Sequence, residues 1–165
     1  MPQDGLITLS SRYPARDTME RLLAALAKRN MTVFARIDHA AGAASAGLAL
    51  RPTEVVIFGN PKGGTALMQD RQSAGIDLPL KALVWEDADG KIWLSYNDPA
   101  WIAQRHGLGA ASAGGVEAMG KALAAIGYDG PVRAEPFNAT LRTLPADAAV
   151  AATARAMRQA FSLMD

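Results

Sequence analysis

Two polar bends follow apolar segments of this 165-residue chain, and they carry residue types that can bind or transform a small molecule. The first bend contains Asp38 and His39, and the second contains Asn60 and Lys62. Loops at the ends of strands on a rigid scaffold commonly carry binding and catalytic residues. We therefore predict that both bends converge, together with Arg51, in one pocket for a small anionic ligand.

The adjacent residues Asp38 and His39 suggest acid-base or metal chemistry. Histidine titrates near neutral pH, and a neighbouring carboxylate can orient its ring, so the pair could act as a general base or bind a metal. Neighbouring residues on a strand point to opposite faces, however, so the two side chains meet only if the chain turns there. The alternative is that Asp38 caps a short helix that begins at His39 or Ala40.

The second bend resembles a phosphate-binding loop only in part. A Walker-type loop places its lysine after the glycines, whereas Lys62 precedes Gly63 and Gly64. Free backbone N–H groups at a helix start, with one lysine, can still hold a carboxylate or phosphate. The alternative is a strand-to-helix turn in which the Asn60 side chain caps its own backbone.

Several other residues are candidates for a site, each with a structural alternative. Arg51 could bind an anion or pair with Asp38. His106 lies at a predicted helix end, where it favours capping over metal binding. Trp85 and Trp93 lie on paired strands and could form a stacking platform, although such pairs commonly serve packing alone. No spacing typical of a Ser-His-Asp hydrolase is apparent.

Composition limits the classes of function. The chain has 17 basic and 16 acidic residues, a net charge of +1 and no cysteine. We expect no nucleic-acid partner, because a basic stripe is missing, and neither a disulfide nor a thiolate site. No signal peptide or membrane span is recognisable, so we expect a cytoplasmic protein without a membrane partner. No metal or cofactor is assigned.

Hydrophobic periodicity predicts an α+β fold. An amphipathic helix begins at Arg16, and a helix with Asp98 as its cap and Pro99 at its first position follows the strands. The apolar run Glu54–Gly59 is typical of a central strand that is covered on both faces. The order predicts a β-α-β4-α sheet with helices packed on one face. Strands are predicted over residues 5–11, 32–37, 54–59, 81–86 and 91–96, and shorter helices within 40–50, 65–70 and 116–126.

Five motifs resemble one family in order and spacing. They are Arg36–Ala40, Leu50–Glu54, Ile57–Lys62, Leu78–Glu86 and Tyr96–Pro99. Over about residues 5 to 125 the chain resembles the bacterial and archaeal family named domain of unknown function 302. The resemblance implies a β-α-β4-α fold and supplies no activity.

The C-terminal segment differs in origin from this first domain, which we place at residues 1–125. Residues 126–165 predict a strand-helix extension that resembles the last strand and helix of sugar-phosphate isomerase and epimerase barrels. In those barrels a glutamate that matches Glu135 binds a divalent metal, but the strands that would carry the other ligands are absent here. We expect the extension to pack on the first domain or to contact a second subunit.

Three functions remain open from the sequence. The leading hypothesis is a non-catalytic domain that binds a small ligand or a partner and forms a homodimer. The alternatives are an enzyme acting on a small anionic metabolite, with His39 as general base and Lys62 or Arg51 holding the anion, and a structural assembly module. The homodimer is expected because a small α+β domain leaves a sheet face or edge that a second copy can cover.

Overall fold

The computed structural model describes residues 5–124. These residues all belong to the first of two compact units in the chain, which spans Met1–Tyr128. The predicted domain boundary, the C-terminal extension and Glu135 lie outside the described residues and stay predictions.

The described part of the chain contains strands, α-helices and two short 3-10 turns. The strands are β1 (Leu6–Ser11), β2 (Thr32–Asp38), β3 (Thr53–Gly59), β4 (Leu80–Glu86) and β5 (Ile92–Asn97). The helices are α1 (Ala15–Lys28), α2 (His39–Ser45), α3 (Pro61–Asp70), α4 (Pro99–His106) and α5 (Ala113–Ala124). The 3-10 turns Gln72–Ile76 and Ala110–Ser112 precede β4 and α5. Within residues 5–124, no helix has the length and apolar character needed to cross a bilayer.

Local signals explain the start and end of α4. The Asp98 carboxylate accepts a hydrogen bond from the Ala100 N–H at 2.9 Å, and Pro99 occupies the first turn. These are the cap and first-position preferences of a helix start. Gly107 ends the helix in the left-handed conformation, with φ of 62°, which glycine adopts without a steric penalty.

The turn between β4 and β5 is closed by Asp87. Its Oδ1 accepts hydrogen bonds from the N–H groups of Asp89 and Lys91, both at 2.9 Å. Gly90 takes a positive φ of 76° in the same turn. The hairpin predicted from these residues is confirmed.

The strands form one antiparallel sheet in the order β1-β5-β4-β3-β2. The first two strands in sequence therefore lie at the two edges. The predicted α+β class, the β-α-β4-α order and the placement of helices on one face are confirmed.

One face of the sheet, called the covered face below, packs against the helices. α1 contributes Met19, Leu22 and Leu26, while α4 contributes Ile102 and α5 contributes Leu123. Removal of these side chains from water supplies the main favourable term of folding. The strand residues of the covered face are Val56, Phe58, Leu80, Ala82, Val84, Ile92, Leu94 and Tyr96.

Candidate functional site

The first polar bend is a helix cap. Asp38 precedes α2, and its Oδ1 accepts a hydrogen bond from the Ala41 N–H at 2.9 Å. His39 is the first residue of α2 and is exposed. The capping alternative is therefore the one observed, and the Asp38 carboxylate orients the backbone of α2 rather than the ring of His39.

Arg51 lies between α2 and β3, at the same end of the sheet. Its Nε donates a hydrogen bond to the Glu86 carbonyl oxygen at 3.2 Å. Among the described residues, no ion pair joins Arg51 to Asp38. The predicted pair between these residues is wrong, because the guanidinium is turned toward the end of β4.

The second polar bend is also a helix cap. The Asn60 Oδ1 accepts a hydrogen bond from the Lys62 N–H at 3.0 Å, and Pro61 opens α3. The Lys62 side chain is exposed. The sequence predicted a helix from residue 65, and α3 begins four residues earlier because the Asn-Pro pair acts as cap and first position.

The strand register separates the two bends. Asp38 lies opposite Glu54, whereas Thr32 lies opposite Gly59, the residue before Asn60. At a rise of about 3.3 Å per residue, the ladder from Thr32 to Asp38 is about 20 Å long. The single pocket predicted from the sequence is therefore wrong, because two strands joined in an antiparallel pair finish at opposite ends of their ladder.

The distance between the two bends determines which of the predicted reactions is possible. Asp38, His39 and Arg51 lie at one end of β2 and β3, and Asn60 and Lys62 lie at the other. A reaction that uses His39 as base and Lys62 to hold the anion is excluded by this distance. Anion binding at the second bend alone, and a role for His39 with Arg51, stay predictions.

Arg36 forms an ion-pair network that the sequence did not single out. Its guanidinium donates to both carboxylate oxygens of Glu54 on β3 and, at 2.9 Å, to Glu20 on α1. The hydrogen bonds to Glu54 and then to Glu20 raise the pKa of Arg36 above its ordinary value. The network joins α1 to β2 and β3. Because these side chains are partly exposed, we assign the network to the positioning of α1 on the sheet.

A second polar cluster links α4 to the 3-10 turn before β4. His106 Nε2 lies 2.7 Å from Asp77 Oδ2, and its Nδ1 lies 3.1 Å from the Ser73 hydroxyl. The Arg105 guanidinium lies 3.5 Å from the same Asp77 oxygen. The sequence predicted that His106 caps the end of α4, whereas its ring contacts two side chains from another element. No local pattern could reveal this, since His106 is 29 residues from Asp77 and 33 from Ser73 along the chain.

Asp70 anchors the segment between α4 and α5. Its Oδ2 accepts hydrogen bonds from the Gly109 N–H and the Ser112 hydroxyl, both at 2.7 Å. The Ser112 hydrogen bond, followed by that of Gly109, holds the pKa of this carboxyl below its usual value. The carboxylate therefore joins the end of α3 to the segment that precedes α5.

The sheet surface opposite the helices, called the open face below, is mostly apolar. Residues that alternate with those of the covered face point toward it, and no described element packs across it. It holds a shallow depression of about 330 Å³. The apolar members of the open face are Leu6, Ile37, Val55, Ile57, Leu83, Trp85 and Trp93.

Two tryptophans lie side by side on the open face. Trp85 on β4 and Trp93 on β5 are directly opposite, with ring centroids 6.2 Å apart and planes inclined by 27°. The indole N–H of Trp85 donates to Ser95, and that of Trp93 donates to Asp87. The rings are thus fixed with their polar atoms satisfied, as in a packed aromatic pair.

Within residues 5–124, no three histidine, aspartate or glutamate side chains converge as a metal site would require.

Known proteins share both the sequence and the fold of this chain. The fluoride-specific ion channel FluC 1 of Brucella suis is 55% identical over 115 residues, which make up 70% of this chain and 45% of that protein. The protein of the same name from Brucella abortus is also 55% identical over 115 residues, 43% of its length. The chain thus spans less than half the length of these curated relatives.

The fold is shared with a protein of known structure. The crystal structure of an uncharacterized conserved DUF302 protein from Bacillus stearothermophilus superposes with a TM-score of 0.66 at 19% identity, covering 74% of this chain and 95% of that one. The family model described as domain of unknown function DUF302 matches residues 7–126. This chain therefore belongs to the DUF302 family.

Proposed function

We propose that this chain is a partner-binding domain whose open face binds a second copy of itself. The observation that carries the proposal is the open face, an apolar sheet surface with a fixed tryptophan pair and no described element across it. Burial of such a surface against a partner is favourable because it removes apolar area from water.

The sequence of β3 supports burial of the open face by a partner. The run Glu54–Gly59 is almost entirely apolar, which is typical of strands buried on both sides. One side, with Val56 and Phe58, packs against the helices, while Val55 and Ile57 face the other side. A partner on the open face would complete the burial that this composition favours.

The composition of the open face supports a second copy in particular. Lys81 is the one charged residue that the described strands direct to it, because Arg36, Asp38, Glu54 and Glu86 alternate to the opposite side. A patch that is apolar and nearly uncharged is typical of the core of a homodimer interface. A two-fold pair places the same patch against itself, so no complementary charge is needed.

Solution mass tests this proposal. We expect the purified chain, of 17.3 kDa, to sediment at twice that mass. Leu83→Glu places a carboxylate at the centre of the open face and should give a folded monomer. The control Leu48→Glu makes the same change at an exposed leucine in the connection between α2 and β3. A wild-type monomer at all concentrations, or a Leu83→Glu dimer, contradicts the proposal.

A second candidate function follows from the curated relatives. They carry the name of a fluoride-specific ion channel, and more than half of each lies outside the match. A channel needs a path across the bilayer, and residues 5–124 of this chain hold no helix that spans one. The candidate function is therefore an accessory domain that binds beside a fluoride channel rather than the conducting part.

Vesicle binding tests the accessory role. The Brucella suis protein, shortened to the region outside the match, would be placed in liposomes, and the purified chain added. We expect the chain to float with these vesicles and not with empty ones, and fluoride efflux to persist. A chain that stays in solution with both kinds of vesicle argues against the accessory role.

A further inference from the structure

The cluster of Ser73, His106 and Asp77 has the connectivity of an activated serine. The His106 ring lies between the other two, with one nitrogen 2.7 Å from the Asp77 carboxylate and the other 3.1 Å from the Ser73 hydroxyl. The cluster is built on α4 and on the 3-10 turn before β4, which contribute nothing to the open face. It is therefore independent of the proposed self-association.

The two contacts fit one tautomer of the neutral imidazole. An ionised carboxylate only accepts hydrogen bonds, so the Nε2 atom of His106 carries the hydrogen and donates it to Asp77. In this tautomer the Nδ1 atom has a lone pair that can accept a hydrogen bond from the Ser73 hydroxyl. This is the proton arrangement that a general base needs, with the ring nitrogens used in the opposite sense from familiar Ser-His-Asp hydrolases.

The base and the nucleophile differ in their exposure to solvent. The side chains of His106 and Asp77 are only 7% and 9% exposed, whereas Ser73 is exposed. Arg105 also contacts Asp77, so the carboxylate is held by two neighbouring residues at the end of α4. A small reagent can thus reach the hydroxyl while water is largely excluded from the pair that would accept its proton.

We propose that Ser73 is a nucleophile for small acyl esters, with His106 as its general base and Asp77 as the residue that orients the ring. The Ser73 oxygen forms a bond to the acyl carbon as the bond between that carbon and the leaving alkoxide or phenolate breaks. The proton of the hydroxyl moves to His106 Nδ1, and the leaving group departs with the electron pair. The product is an O-acyl serine.

Acetylation by p-nitrophenyl acetate tests this site. We expect one equivalent of nitrophenolate to be released in a burst and one acetyl group to be found on Ser73 by peptide mass spectrometry. Ser45 provides an internal control, because it is exposed and its hydroxyl donates to a backbone carbonyl instead of a histidine. General-base assistance predicts that Ser73 reacts about 100-fold faster than Ser45 in the same molecule.

Variants identify the groups responsible. Ser73→Ala removes an exposed hydroxyl and should abolish the burst in a folded protein. His106→Asn should lower the rate at Ser73 about 100-fold, whereas His39→Asn changes the other histidine of the chain and should leave the rate unaltered. Asp77→Asn should lower the same rate and leave the rate at Ser45 unchanged.

The comparison within wild-type protein keeps the proposal falsifiable even where a buried variant fails to fold. Equal rates at Ser73 and Ser45 would overturn the proposal. So would acetylation confined to lysine side chains, or a burst that persists in Ser73→Ala.

Discussion

The two faces of the sheet differ in what packs against them. The covered face buries its strand residues almost completely against α1, α4 and α5, and Phe58 and Val56 are fully inaccessible. The open face directs apolar residues of the same kinds outward, where Leu6 and Ile37 keep 46% and 43% of their surface. The same strands thus supply a folding core on one side and an apolar surface on the other. The covered face therefore supplies stability, and the open face is the surface on which the proposed self-association rests.

The largest expected effect compares two phenylalanines. Phe58→Ala removes a fully buried ring from the covered face and should lower the free energy of unfolding by about 3 to 5 kcal/mol. Phe34→Ala removes a ring that is 50% exposed and should cost less than about 1 kcal/mol. Urea denaturation of both variants measures the difference. Equal losses would mean that burial on the covered face does not determine the cost of removing a ring.

A matched pair of valines sharpens the comparison along one strand. Val56→Ala, on the covered face, should lower the free energy of unfolding by about 2 kcal/mol at any protein concentration. Val55→Ala, its neighbour on the open face, should mainly weaken the proposed dimer. Its effect on the thermal midpoint should therefore grow with protein concentration, since dissociation is coupled to unfolding. Calorimetry at two concentrations separates these behaviours, and a concentration effect at Val56 alone would reverse the assignment.

The sequence predicts the parts of this fold that have local causes. Asp98 with Pro99 predicts the start of α4, and the turn at Asp87 predicts the hairpin of β4 and β5, because each rests on hydrogen bonds between near neighbours. The strand order and the two-face contrast depend on contacts between distant segments, so a single sequence does not contain them in readable form.

The candidate site shows the same limit. The sequence shows that the bends at Asp38 and Asn60 are polar, and capping by each side chain is one of the two predicted roles. The structure confirms capping at both bends. The inference that the two bends converge is wrong, because β2 and β3 pair in opposite directions and therefore finish at opposite ends of their ladder. The contact between Asp77 and His106 has no local signal, because it forms only when the 3-10 turn packs against α4.

The helix caps test whether the two bends are independent. Asp38→Ala and Asn60→Ala each remove a side-chain acceptor from a helix start and should lower the free energy of unfolding by about 1 kcal/mol. Neither should change the mass of the chain in solution, because neither residue lies on the open face. In the double variant the losses should add to within about 0.5 kcal/mol, since the bends are about 20 Å apart. A larger coupling energy would mean that the bends share a site after all.

The smallest expected effect concerns Asp70, which fastens helices on the covered side. Its hydrogen bonds from Ser112 and Gly109 lower its pKa in the folded state. The stability it contributes is therefore fully present above the pKa of an unfolded aspartate, about 3.9, and is lost as the pH falls through the lower folded value. The stability difference between wild type and Asp70→Asn should shrink as the pH falls below about 4. Ser112→Ala removes the larger cause of the lowered pKa. The stability difference between Ser112→Ala and Asp70→Asn should therefore vary less with pH than the difference between wild type and Asp70→Asn. Denaturation between neutral and acidic pH measures both differences, and a gap that widens in acid would show that the carboxylate does not stabilise the fold in this way.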